Sequence, residues 1–150
     1  MIMPHRTLKV PERGMLDAYA ETLAARGYSA DPAQRAAAER LQRLYTELLS
    51  FKVARRSTFR RLLTRTDPPR GVYFWGGVGR GKSFLMDCFY DSVPYKRKKR
   101  IHFHAFMQQV HRQLDALKDQ ADPMDALAAN IARDVRLLCF DEFHVSDIAD

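Results

Sequence analysis

Apolar residues recur along this chain at helical spacing first and in short runs later, and the change of period divides it. From Pro11 to Arg26, Met15, Leu16, Tyr19, Ala20 and Leu23 fall on one helical face, and Gly27 closes the segment. Asp31-Pro32 then supplies an N-cap with proline at the first helical position. Leu41, Leu44, Tyr45, Leu48 and Leu49 mark one face of the long helix that follows, expected to end near Ser50. From Phe51 to Thr66 a weaker stripe (Val53, Phe59, Leu62, Leu63) runs between Arg55, Arg56, Arg60, Arg61 and Arg65. Asp67-Pro68-Pro69-Arg70-Gly71 is a cluster of breakers. It separates a helical basic leader, residues 1–66, from a core, residues 67–150.

The core alternates. Val72-Tyr73-Phe74-Trp75 is an apolar run that reads as a buried strand. A helix is expected from Lys82 to Ser92, ended by Pro94, and Ile101-His102-Phe103-His104 alternates as a second strand. Ala105 to Lys118 carries Phe106, Val110, Leu114 and Leu117 at helical spacing. Asp122-Pro123 repeats the cap-and-proline device for a helix to about Ala132, and Leu137-Leu138-Cys139-Phe140 is a third, wholly apolar strand. Ser146 offers the cap of one more helix. The β-α-β-α-β order predicts an α/β fold, a parallel sheet with helices on both faces, which binds ligands at the carboxyl ends of its strands.

Those carboxyl ends carry the chemistry. Gly76-Gly77-Val78-Gly79-Arg80-Gly81-Lys82-Ser83 fits G-x-x-x-x-G-K-[ST] in every fixed place, between a predicted strand and a predicted helix. Glycines at 76, 77, 79 and 81 let phosphate oxygens approach several backbone N–H groups and permit positive φ. The first helical turn, from Gly81 to Phe84, adds unpaired N–H groups and the positive end of the helix dipole. Lys82 would reach the β- and γ-phosphates, and the Ser83 hydroxyl would ligate Mg²⁺. At the end of the third strand, Asp141 would hold the metal through water, and Glu142 would orient and deprotonate the water that attacks the γ-phosphate. Asp141 follows Gly76 by 65 residues, and both groups are expected on one edge of the sheet. A phosphoryl transferase acting on another acceptor has no use for Glu142 in that place.

Composition narrows the setting. With 46% hydrophobic and 29% charged residues the chain reads as globular, and no apolar run approaches the ~20 residues of a membrane span. The stretch Met1 to Val10 has no apolar signal core, so a cytoplasmic protein is expected. Cys88 and Cys139 read as small buried hydrophobes with no zinc-binding spacing. Residues 1–70 carry 14 Lys/Arg against 7 Asp/Glu, while residues 71–150 carry 11 of each, so the whole net charge of +7 precedes the glycine loop. That leader, and the cations Lys96-Arg97-Lys98-Lys99-Arg100 in a predicted connection, read chiefly as solvated surface. Nucleic acid or a membrane surface is the alternative partner for them. His102 and His104 share a face of the predicted strand, with His111 and His144 elsewhere; without a third ligand at a set spacing they read as structural. Arg80 reads as exposed.

Taken together, GVYFWGGVGRGKSFLMDCFY, RIHFHAFM, LLCFDEFHVSDIAD and the leader stretch DPAQRAAAERLQRLY resemble the AAA+ type of P-loop ATPase, and more narrowly the ZapE cell-division ATPases of bacteria and their mitochondrial relatives. The likeness spans about residues 14 to 150. It implies an ATP-hydrolysing P-loop NTPase fold of AAA+ type with Lys82, Ser83, Asp141 and Glu142 as its ATPase residues. It also implies ATP and Mg²⁺ as ligands, nucleotide-dependent homo-oligomers, and division-ring proteins at the septal ring as partners. The runner-up reading is a nucleic-acid-associated ATPase such as a helicase loader.

Members of that family continue well beyond the length of this chain. The resemblance therefore implies that the next core strand with its polar sensor, an arginine finger and a helical lid are absent here, and that Val72–Trp75 is left as an open apolar edge. An arginine finger contributes roughly 10³–10⁵ in rate in related GTPases. Single-turnover measurements on this chain are expected to show ATP bound in part and hydrolysed poorly; hydrolysis at the speed of a complete ATPase would refute this.

Overall fold

The structure, a computed structural model, describes residues 14–56, 67–75 and 81–142. By contact the chain forms two compact units, Met1–Val93 and Pro94–Asp150, and each is described by itself. The division expected between residues 66 and 67 falls beside a stretch outside the described residues.

The first unit is a packing of three helices: α1 (Met15–Ala25), α2 (Pro32–Arg56) and α3 (Gly81–Ser92). Helix α1 ends in a Schellman arrangement: Tyr28 N–H donates to the Leu23 carbonyl and Gly27 N–H to the Ala24 carbonyl, both at 3.0 Å. Gly27 holds φ at 68°, a region that favours glycine. Helix α2 starts with a reciprocal capping box. Gln34 N–H donates to Asp31 Oδ1 at 2.7 Å, and Asp31 N–H donates to Gln34 Oε1 at 3.1 Å. It continues past Ser50 to Arg56, because no glycine or proline interrupts Phe51–Arg56 and lysine and arginine are good helix formers. Met15 and Tyr19 of α1, Ala38, Leu41, Leu44, Tyr45, Leu48 and Ala54 of α2, and Leu85, Cys88 and Phe89 of α3 form the buried core. All three helices touch one another, and Leu16 N–H donates to Gln42 Oε1 at 3.1 Å between α1 and α2.

The second unit is β1 (Lys98–His102), α4 (Phe103–Leu117), α5 (Pro123–Asp134) and β2 (Leu137–Asp141). The two strands pair in parallel, with Lys98 opposite Leu137 and His102 opposite Asp141. Phe140 of β2 meets Phe103 and Phe106 of α4 edge-on at 5.7 and 4.9 Å. Asp122 caps α5 by accepting from Asp125 N–H at 3.0 Å, with Pro123 in the first turn, as the sequence predicts. Cys88 and Cys139 are both free and buried, and burial pushes the Cys139 thiol up to about 11.

Three expectations are corrected. The second strand lies at Lys98–His102, not Ile101–His104, because α4 starts at Phe103 with His102 as its N-cap; His104 therefore sits in a helix and does not share a strand face with His102. The cation run is accordingly not a solvated connection, for three of its five members lie in β1 with half-buried stems. Val72–Trp75 is in no strand: the sheet among the described residues has two members, so these residues lack a ladder, and Tyr73 and Trp75 are 63% and 84% exposed.

The Tyr45 ring is 3% exposed and its hydroxyl finds no hydrogen-bond partner among the described residues. An unmet buried hydroxyl costs about 1–3 kcal/mol. Tyr45→Phe is therefore expected to leave the unfolding free energy in urea unchanged or raise it by about 1 kcal/mol. A loss of comparable size would show that the hydroxyl is satisfied.

Candidate nucleotide-binding site

The site residues proposed from sequence fall into two groups, one in each unit. Gly76, Gly77, Val78, Gly79 and Arg80 lie outside the described residues, as does His144. Gly81, Lys82, Ser83 and Phe84 are described, and they form the first turn of α3. Lys82 and Ser83 are exposed there. The N–H groups of a first helical turn have no acceptors within their own helix, so the end is electropositive and fit for an anion. Phe84 is different. Its ring packs on α1, 5.6 Å from the Tyr19 ring, with the Arg26 guanidinium 4.7 Å above it. The side chain beside the exposed pair thus fastens the turn to the leader.

Gly81 serves another purpose than the one its sequence context suggests. Its φ is not in the left-handed region. Instead the missing side chain makes room: a Cβ at residue 81 would lie 2.5 Å from Gln34 Nε2 and 3.3 Å from its Cδ. The first turn of α3 is therefore set directly against the start of α2. The signal for Gln34 was present as the D-x-x-Q spacing of a capping box; its contact with Gly81 was not legible from spacing.

In the second unit Asp141 and Glu142 come together at the carboxyl end of β2. Asp141 is gripped by Arg100 of β1, Nε to Oδ2 at 2.7 Å and Nη2 to Oδ1 at 3.1 Å. The side chains are 28% and 16% exposed for Arg100 and Asp141. This fork fixes the carboxylate plane while leaving each oxygen a second lone pair. Glu142 is exposed and holds φ at 49°, a conformation that costs a non-glycine residue about 1–2 kcal/mol. Strain of this kind collects at functional positions.

Other cations of the run are engaged as well. Lys99 Nζ donates to Gln109 Oε1 at 3.1 Å, and the Arg97 guanidinium donates to the Arg133 carbonyl. Among the described residues no group of three or more His, Cys, Asp or Glu could hold a metal, and no helix is long and apolar enough to cross a membrane.

Comparison with known proteins decides the family. The AFG1-like ATPase family matches residues 14–150. The chain belongs to that family. It is 43% identical over 143 residues to the cell division protein ZapE of Escherichia coli K12, an alignment covering 88% of this chain and 38% of that protein. It is 39% identical over 154 residues to an uncharacterised protein of Schizosaccharomyces pombe, covering 80% and 34%. It is 45% identical over 98 residues to lactation elevated protein 1 homolog B of Danio rerio, covering 58% and 20%. The chain thus spans little more than a third of the length of the ZapE protein it matches. No solved structure matches it.

Removing Arg100 strands a half-buried carboxylate. Arg100→Ala is expected to lower the unfolding free energy by about 1.5–3 kcal/mol. Arg100→Lys, which cannot reproduce the two-pronged contact, should recover only part of that loss. Equal stability of Arg100→Ala and wild type in chemical denaturation would show that the pair is idle.

Proposed function

We propose that this AFG1-like protein binds ATP with Mg²⁺ and hydrolyses it, on an α/β core of the AAA+ P-loop type preceded by a helical basic leader. The observation that carries the reading is the exposed Lys82-Ser83 pair on the first turn of α3, in the frame of a complete G-x-x-x-x-G-K-S motif. Lys82 would place its ammonium against the β- and γ-phosphates, and the first-turn N–H groups would take the phosphate oxygens. Ser83 and Asp141 are the residues that would hold Mg²⁺, Ser83 directly and Asp141 through water. The metal, when bound, neutralises the charge that develops on the phosphates. Glu142 would accept the proton of the attacking water. Its carboxylate needs no protein partner for that task, which agrees with its exposed position at the strand end.

The likeness to the cell division protein ZapE supports a role in cell division; with that role we propose work in the cytoplasm at the septal ring, alongside division-ring proteins and as a nucleotide-dependent homo-oligomer. A nucleic-acid-associated ATPase draws less support. Two of the cations that would make such a surface are engaged in part-buried contacts within the fold, Arg100 on Asp141 and Lys99 on Gln109.

Equilibrium titration with ATP and Mg²⁺ tests the proposal. Lys82→Ala is expected to weaken binding at least about tenfold, the scale of one lost charge-assisted contact. Glu142→Gln should bind ATP as wild type does and lose whatever hydrolysis the wild type shows. Wild-type protein that fails to bind ATP contradicts the reading, and so does unaltered binding by Lys82→Ala.

A further inference from the structure

Gln34 carries an amide whose two ends have separate tasks. Its Oε1 accepts the Asp31 N–H in the capping box of α2. That donor can pair only with an oxygen, which fixes the orientation of the amide. The nitrogen therefore faces the other way, and it is Nε2 that lies against Gly81. It has no hydrogen-bond partner among the described residues. Gly81 in turn opens the turn that displays Lys82 and Ser83. A neutral two-proton donor is thus clamped by its carbonyl end beside the turn of the G-x-x-x-x-G-K-S motif.

We propose that Gln34 is a further nucleotide-binding residue, its Nε2–H donating to a phosphate oxygen held on the Gly81–Ser83 turn. The inference rests on the ATP-binding reading above. The acceptor would be anionic, so the bond is of the charge-assisted kind. Because the same amide completes the cap of α2, a phosphate on the turn also secures the start of the 25-residue leader helix. The leader then responds to the nucleotide through one side chain.

Two variants separate a ligand contact from a cap. Glutamate serves a capping box as well as glutamine does, so Gln34→Glu keeps the helix start while placing a carboxylate against the phosphates. Gln34→Ala removes both functions. Isothermal titration of ATP with Mg²⁺ is expected to show about tenfold weaker binding for Gln34→Ala, and a larger loss for Gln34→Glu, whose nucleotide-free melting temperature should match wild type. If Gln34→Glu binds ATP like wild type while Lys82→Ala does not, the inference falls and the ATP-binding reading stands. Affinity lost only in step with unfolding of the nucleotide-free variants also overturns it, leaving Gln34 as a cap alone. A wild-type protein without ATP affinity overturns both.

Discussion

Helix α3 is 12 residues long, and a helix of that length does not hold its shape alone in water. Everything proposed for Lys82 and Ser83 requires that it hold, since their spacing against a ligand is the spacing of one helical turn. What keeps it is burial of Leu85, Cys88 and Phe89 against α1 and α2. Fully burying an aliphatic or aromatic side chain contributes about 1.5–3 kcal/mol relative to leaving it exposed, so Leu85 and Phe89 supply most of what the marginal helix needs. The leader is on this account a wall of the proposed phosphate site. Tyr19 and Arg26 hold the turn at Phe84 and Gln34 holds it at Gly81, from two different helices.

The second unit solves a different problem. Parallel strands are usually covered on both faces, yet β1 is made of lysines, an arginine, one isoleucine and a histidine. Long cationic side chains meet the requirement by laying their stems along the sheet and sending their heads to fixed acceptors. Arg100 reaches diagonally across the ladder to Asp141, and Lys99 reaches back to α4 at Gln109. The charge run is therefore part of the sheet's construction.

Much of this was legible in the residues. Capping signals at Asp31-Pro32 and Asp122-Pro123 and the stop at Gly27 named helix ends that the structure reproduces, because caps act within a few residues. The apolar run Leu137–Phe140 named β2 for the same local reason. The first and second strands were misread for reasons that are not local. Tyr73, Phe74 and Trp75 favour strands on propensity, but a strand exists only where another completes its hydrogen bonds. The lysines of β1 disfavour a strand on propensity, and pairing with β2 overrode that. At the candidate site, the motif proposed Lys82 and Ser83, and the structure holds both exposed on the first turn of α3. Gln34 and Arg100 escaped because each acts on a residue far away in the chain, 47 and 41 positions respectively.

Trp75 is the protein's one tryptophan, it is 84% exposed, and it directly precedes Gly76. The chain thereby carries an intrinsic fluorophore at the entrance to its glycine loop. Emission from so exposed an indole is red-shifted and open to collisional quenchers, and its only competition comes from tyrosines that can be left unexcited. Any change of polarity or shielding at the threshold of the loop is reported by the native protein, with no dye attached and no residue replaced.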